Sequence, residues 1–292
     1  MLESRMKPGT DPFQKFVSEY ARLFQSGKKL PAGRPRKLPR HSRVPESAPK
    51  VLIFSPHPDD ECITGGLALR LLREAKWNVI NVAVTLGSNP ERRPERLREL
   101  KDACDVLGFD LASANRVNLH PETRRKERAF WEKAVKNTAR NLTLACPRVV
   151  FIPHEGDGHP THVGTHLLVL DALKTLPAAF RCHVVETEFW TPMAEPNLLV
   201  ESGIEDVADL VAALACHAGE IRRNPYHVRL PAWLMDNVRR GGELVGGRGG
   251  AAPDFTFATL YRLRQWARGR MVDCLKAGKF LGATKNPAVL FR

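Results

Sequence analysis

The sequence predicts an α/β fold: a mostly parallel sheet covered by helices on both faces, followed by a helical C-terminal part. Three observations lead there. Strand-length apolar runs, Val51-Leu52-Ile53-Phe54 and Val149-Val150-Phe151-Ile152, are rich in β-branched and aromatic residues and read as buried strands. Segments of helical character alternate with them, and that alternation implies parallel strands with helices packed over the sheet. A chain of 292 residues, 43% hydrophobic and 26% charged, has the length and ordinary composition for one large domain.

In chain order, residues 1–49 read as a basic extension. Phe13, Phe16, Val17, Tyr20 and Phe24 fall near helical spacing and predict one amphipathic helix over 13–24. Residues 31–50 are rich in Pro, Arg and Lys and read as an extended, solvated arm. Residues 1–50 hold 12 Lys+Arg and 4 Asp+Glu, so 12 − 4 = +8 of the net +13 comes from this sixth of the chain. An arm packed on the domain surface is the simpler expectation, and a tether for an anionic partner is the other.

The α/β domain is expected to span 50–292. Its elements are a strand over 51–54, a helix over 64–73 entered through Gly65-Gly66, and a strand over 79–84. A charged helix over 93–107 stops at Gly108. A weak strand over 116–119, a helix over 123–145, a strand over 148–152, a helix over 161–173 and a strand over 182–188 follow. This order is Rossmann-like. Helices are then expected over 208–223, 231–240 and 258–268, with a glycine-rich loop over 241–250 that lacks the Lys-Ser/Thr ending of a phosphate-binding P-loop.

Six cysteines lie far apart with no Cys-x-x-Cys pair, which suits reduced thiols rather than a disulfide framework or a four-cysteine zinc site. No stretch approaches the roughly 20 apolar residues of a membrane helix. The first fourteen residues lack a signal peptide's apolar core. A cytoplasmic protein without a membrane span is the expectation.

Chemistry concentrates at two strand exits, the carboxyl edge where such sheets bind ligands. Pro56-His57-Pro58-Asp59-Asp60-Glu61 follows the first strand. After Ile152 and Pro153, the residues His154, Asp157, His159 and His162 arrive within nine positions. A histidine and carboxylates at the end of a buried strand are costly unless paired, and a divalent metal is a natural partner. His57 and Asp60 can converge on one ion across a turn stiffened by Pro58, with His162 as third ligand. Asp59 is then free to act as general base, and His159 to stabilise an oxyanion or protonate a leaving amine. An acidic run before a helix is also a common N-cap, so the second cluster is what favours the metal reading. His162 and His166 form an i, i+4 pair without an intervening Glu, and His166 is read as packing or as a support for the site.

The Pro-His-Pro-Asp-Asp-Glu run, with His159-Pro160-Thr161-His162 downstream, resembles the zinc-dependent LmbE/PIG-L N-deacetylases. That family includes relatives of the enzyme that de-N-acetylates N-acetylglucosaminyl-phosphatidylinositol. The resemblance covers about 50–190, and Arg96-x-x-Glu99 with Ala103 and Leu107-Gly108 looks like the family's second helix. It implies Zn2+ on His57, Asp60 and His162, Asp59 as base, His159 as electrostatic or acid partner, and Arg96 as a substrate-reaching arginine. One position departs: relatives usually carry Asp where this chain has Thr161, so His159 is expected to have a lowered pKa or another partner such as Asp157 or Glu155.

Together these readings predict a metal-dependent hydrolase that removes an N-acetyl or other N-acyl group from an amino sugar or its conjugate. Zinc is the first choice of metal, and a site of two histidines and one carboxylate also takes iron, manganese or cobalt. The expected partner is a small N-acylated sugar, with the Lys/Arg excess hinting at an anionic conjugate. The alternative is a non-catalytic anion- or nucleic-acid-binding protein with a structural or degenerate metal site. No zinc finger, helix-turn-helix or aromatic-basic RNA motif supports specific nucleic-acid binding.

Overall fold

A computed structural model describes residues 11–38, 41, 44–112 and 119–292. In chain order these form α1 (Pro12–Gly27), β1 (Lys50–Ser55), α2 (Asp60–Ile63), α3 (Gly66–Ala75), β2 (Asn78–Ala83), α4 (Arg93–Leu107), β3 (Asp110–Ala112), α5 (Pro121–Lys126), α6 (Arg128–Ala145), β4 (Val149–Pro153), α7 (Pro160–Lys174) and β5 (Cys182–Thr187). The C-terminal part continues with β6 (Leu198–Glu201), α8 (Ile204–Cys216), α9 (Ala218–Arg223), α10 (Tyr226–Leu244), β7 (Ala258–Ala267), β8 (Arg270–Asp273) and β9 (Lys279–Leu281).

The strands form one sheet in the order β3-β2-β1-β4-β5-β7-β6-β9, with β8 paired to β7. β3, β2, β1, β4 and β5 are mutually parallel. β7 runs antiparallel to both β5 and β6. Strand order reverses between β1 and β4, so the loops leaving their carboxyl ends part and open a crevice. Both histidine-bearing loops leave there.

Alternation along β1 shows why both faces need cover. Val51 and Ile53 pack with Leu67 and Leu71 of α3, Leu100 and Leu107 of α4, and Leu214 of α8. Leu52 and Phe54 point to the opposite face, against Trp131 and Leu142 of α6 and Leu168, Val169 and Leu173 of α7. A strand with no polar face cannot border water, which is why its sequence reads as a continuous apolar run.

Asp171 of α7 ties this second layer together. It accepts from Arg124 Nε at 2.7 Å and Nη2 at 2.8 Å, and from Trp131 Nε1 at 3.0 Å. Burial alone would raise its carboxyl, but Arg124 and the indole hold it below the usual range. Asp171→Ala is expected to lower stability by about 1–2 kcal/mol, read by denaturant unfolding. Because the folded pKa is depressed, the wild-type contribution is present above the ordinary carboxylate pKa and fades as pH falls through the folded value.

Several elements differ from their sequence expectation. The helix expected over 258–268 is strand β7. Leu260 and Leu263 suggest a helical stripe, but Thr259, Tyr261 and Trp266 favour a pleated surface. Tyr261 and Leu263 enter one core and Trp266 the other, while Arg264 between them reaches Glu186 at 2.7 Å. The helix over 208–223 is broken at His217, and that over 123–145 at Glu127. α10 starts before Pro231 and runs through Gly241-Gly242. A Cβ on Gly241 would lie 2.7 Å from Leu199 Cδ2, so the glycine lets this helix lie close on β6. The weak strand expected over 116–119 lies outside the described residues except for Leu119.

The amphipathic helix is present as α1, capped by Asp11 through the N–H groups of Phe13 and Gln14. It meets α10 through the Tyr20 hydroxyl, 3.3 Å from Met235 Sδ, and through Phe24, which lies under Arg229. Arg34 beyond it binds Asp102 and Asp105 of α4. All six cysteines are free thiols. No described helix is long and apolar enough to cross a membrane.

Candidate active site

The first loop leaves β1 at Ser55 and turns at once into the one-turn helix α2. His57 donates its backbone N–H to Asp60 Oδ2 at 2.8 Å, which draws that carboxylate back over the turn. Asp60 Oδ2 also lies 3.5 Å from His57 Nδ1 and 3.5 Å from His162 Nε2. Asp59 is the pivot: its φ of 116° lies in the left-handed half of the map, unusual for a residue with a side chain. Both carboxylates line the cleft, and Asp60 is the one that lies against the imidazoles.

The second loop leaves β4 and becomes α7. His159 caps the helix: its Nδ1 accepts the Thr161 N–H at 3.2 Å, and Pro160 fills the first helical position, where a missing N–H is harmless. His162 follows on the first turn. Asp157 accepts the His159 N–H at 3.0 Å on Oδ1 and the Trp190 N–H at 3.2 Å on Oδ2, which also lies 3.4 Å from His162 Nδ1.

The two loops, about a hundred residues apart in the chain, thus meet. His57, His159 and His162 each present a ring nitrogen, all within 4.8 Å of one another. His162 Nε2 is buried with no hydrogen-bond partner among the described residues. A buried, partnerless imidazole nitrogen beside a carboxylate oxygen is the donor set a divalent cation requires, so these residues fit one. The electrostatics agree. Burial would raise the Asp60 carboxyl, yet His162 and His57 outweigh it and hold it at about 2. Burial would lower His162, but Asp60 and Asp157 push it up. Asp59 moves the other way: burial, then the neighbouring Asp60 charge, raise its carboxyl well above the ordinary value. His159 is pushed down to about 4 by burial and by the two other histidines.

Thr161 leaves a visible mark. Its hydroxyl is buried without a partner among the described residues, and its backbone N–H serves His159. Neither Asp157 nor Glu155 takes the His159 ring, since Asp157 is engaged by the backbone of His159 and the ring of His162. His154 is structural, with Nε2 2.8 Å from the Thr191 carbonyl. His166 is too, with Nδ1 2.8 Å from the Pro153 carbonyl at the end of β4.

A cleft of about 480 Å³ opens over these residues, lined by His57, Asp59, Asp60, Arg96 and His159 among others. Arg96 donates from Nη2 to the Pro58 carbonyl at 3.1 Å and lies 3.7 Å from Glu220, which also draws Arg92 and Arg223. Gly87, at φ +87°, gives Arg96 its room: a Cβ there would meet Nη1 at 2.1 Å.

Two groups escaped sequence reasoning, and a third contact, between Glu61 and the structural His217, was not foreseen. Phe189 stacks on His162 with ring centres 5.8 Å apart, and Trp190 on His159 at 5.7 Å. Phe189-Trp190 directly follows the strand expected over 182–188, at the same carboxyl edge, which was the available signal. Glu220 lies beyond the matching segment, with only its arginine neighbours to suggest it. Behind α2, Glu61 and His217 form a fully buried pair, Oε1 to Nε2 2.7 Å, with Cys62 beside them. Although Glu61, Cys62 and His217 cluster as metal ligands would, that short contact is a hydrogen bond. Burial also pushes the Cys62 thiol well up, away from the thiolate a metal needs.

Known proteins share both the motif-bearing segment and the architecture. Residues 52–173 match the model of the family described as PIG-L: GlcNAc-PI de-N-acetylase. A Thermomonospora curvata 1D-myo-inositol 2-acetamido-2-deoxy-alpha-D-glucopyranoside deacetylase is 30% identical over 159 residues, covering 42% of this chain and 52% of its own. A probable N-acetyl-alpha-D-glucosaminyl L-malate deacetylase 2 of Bacillus cereus is 30% identical over 139 residues, covering 44% and 62%. The chain spans about half the length of the curated relatives it matches. Among solved structures, a conserved Thermus thermophilus protein superposes with a TM-score of 0.57 at 22% identity, over 78% of this chain and 96% of that one. The N,N'-diacetylchitobiose deacetylase of Pyrococcus horikoshii gives 0.51 at 17% identity, over 88% and 94%. Both share the fold.

Proposed function

We propose, from the premise that residues 52–173 of this chain are a PIG-L (LmbE-like) de-N-acetylase family domain, that the protein is a zinc-dependent N-deacetylase of an amino sugar or its conjugate. The observation that carries this reading is the meeting of His57, Asp60 and His162 around Asp60 Oδ2, at 3.5 Å to each ring. These three would hold the ion. His159 is set apart from them by its engaged Nδ1 and by its place on the cleft wall against Trp190. Bound there, zinc polarises an acyl carbonyl and acidifies water.

The chain's own residues do the rest. Asp59 takes the proton of the attacking water on its carboxylate, and the burial that raises its pKa favours holding that proton. His159 accepts the Thr161 N–H at Nδ1, so the neutral ring keeps its proton on Nε2 and offers it as a hydrogen bond to the developing oxyanion. As the C–N bond breaks, Asp59 passes its proton to the amine nitrogen. Water's hydroxyl ends on the acyl carbon, giving acetic acid, and its other proton on the amine; the acid then yields its proton to the free amine, leaving acetate and an ammonium group. Arg96 braces the turn at Pro58 and offers its cleft-facing edge to the sugar. Phe189 and Trp190 shield the imidazoles from bulk water.

The cleft also favours an anionic conjugate. Arg92, Arg96 and Arg223 gather at its wall, and these three guanidinium groups outnumber the two carboxylates, Glu220 and Glu95, that pair with them. Arg92→Gln is expected to raise KM about tenfold for a carboxylate- or phosphate-bearing N-acetylglucosamine conjugate and to leave a neutral one nearly unchanged. Equal effects on both would remove the charge argument. Free thiols suit a cytoplasmic setting.

The direct test is free-amine release by zinc-loaded protein from a panel of N-acetylated sugars and conjugates. Release from at least one is expected. No release from any, with strongly salt-dependent DNA binding, would favour the non-catalytic alternative.

A further inference from the structure

Asp59 holds an unusual backbone conformation, and its neighbours account for it. Among the described residues, four non-glycines have positive φ: Lys76 at 58°, Cys146 at 45°, Arg268 at 53° and Asp59 at 116°. The first three lie in or beside the ordinary left-handed well. Lys76 and Cys146 cap helices, where that well is common. Asp59 lies far outside it and persists only if its surroundings over-determine it.

The restraint is behind the turn. Asp59 donates its N–H to Glu61 Oε2 at 2.9 Å. The other oxygen of that carboxylate, Oε1, lies 2.7 Å from His217 Nε2. Glu61 and His217 are both fully buried. His217 stands at the break between α8 and α9, so the pair links the catalytic turn to the C-terminal helices. Its Nδ1 has no partner among the described residues, which leaves Glu61 as the group that fixes the ring. A buried ion pair is a poor device for stability, because desolvation offsets most of the attraction. Its geometry here serves another end.

We propose that Glu61, braced by His217, is a positioning residue: it holds the Asp59 backbone in its strained conformation and so aims the Asp59 carboxylate into the cleft. The inference rests on the reading of Asp59 as general base. Glu61 touches neither substrate nor ion. It acts through one backbone hydrogen bond, and the helix break at His217 lets the ring reach it.

The experiment uses the full chain loaded with zinc, with Glu61→Ala, Glu61→Gln and His217→Gln. Glu61→Ala should lower kcat about a hundredfold, the scale of misplacing a reacting group by about 1 Å, with KM and zinc content unchanged. Glu61→Gln keeps an oxygen for the Asp59 N–H and should restore kcat to within about fivefold of wild type; His217→Gln should fall between. A merely structural role would move zinc content or KM with kcat, and the Gln variant would give no rescue; either result overturns the proposal, as does a folded Glu61→Ala protein with wild-type kcat. If Glu61→Ala does not fold, the Gln variants carry the test, and a fall in kcat no larger for His217→Gln than for Glu61→Gln overturns it. If wild-type protein releases no amine from any substrate, the deacetylase reading fails instead. Crystal structures of wild type and variants then decide this point alone: Asp59 should relax toward ordinary φ without Glu61, and retention near 116° would overturn the proposal.

Discussion

Asp59→Ala is expected to lower kcat by about a thousandfold or more while zinc content stays at the wild-type level. The expectation follows from where the two neighbouring carboxylates go. Asp60 Oδ2 sits between two imidazoles, whereas Asp59, with a φ of 116°, lines the cleft and makes no ion pair with either ring among the described residues. Removing Asp59 leaves the ligand set intact and takes away the group that accepts the water proton. Asp59→Asn should do as much damage, since it fills the same space but cannot take a proton at neutral pH. Metal analysis and kcat on the same preparations settle the matter: full loss of zinc in either variant would make Asp59 a ligand.

The second large effect concerns His162. Its ring is buried and its Nε2 has no hydrogen-bond partner among the described residues, 3.5 Å from Asp60 Oδ2. His162→Ala is expected to weaken zinc binding by at least about a hundredfold, with activity falling alongside it. His159→Ala should do the opposite, keeping zinc while kcat falls about a hundredfold through loss of the oxyanion donor. The contrast matters because all three imidazoles lie within 4.8 Å of one another, so proximity alone does not separate ligand from acid. Titration of apo-protein with zinc reads the distinction without any substrate. Undiminished affinity in His162→Ala, or lost affinity in His159→Ala, would reverse the assignment.

How much of this was legible in the sequence depends on whether the signal was local. β1 and β4 announced themselves as apolar runs because both their faces are buried. The histidine and aspartate loops were legible for the same reason, as polar residues abruptly following such runs. β7 was misread because its leucines also fit a helical stripe, and only pairing with β5 and β6 settles which period wins. β6 and β9 are four and three residues long, and their neighbours define them more than their own composition. At the site, Glu61 stood within the acidic run, but nothing local says that it turns away to meet His217, more than 150 positions later. Phe189 and Trp190 read as ordinary apolar residues until the fold stacks them on histidines.

Asp157 adds to the bonds that His154 makes to Thr187 and Thr191 a second tie between two walls of the cleft. One of its oxygens takes the amide of His159, and the other takes the amide of Trp190 while lying 3.4 Å from the His162 ring. The entrance and the His162 ring therefore share one carboxylate. A guest that shifted the Trp190 backbone would pull on the carboxylate beside His162, and widening the mouth at Trp190 is expected to loosen that ring.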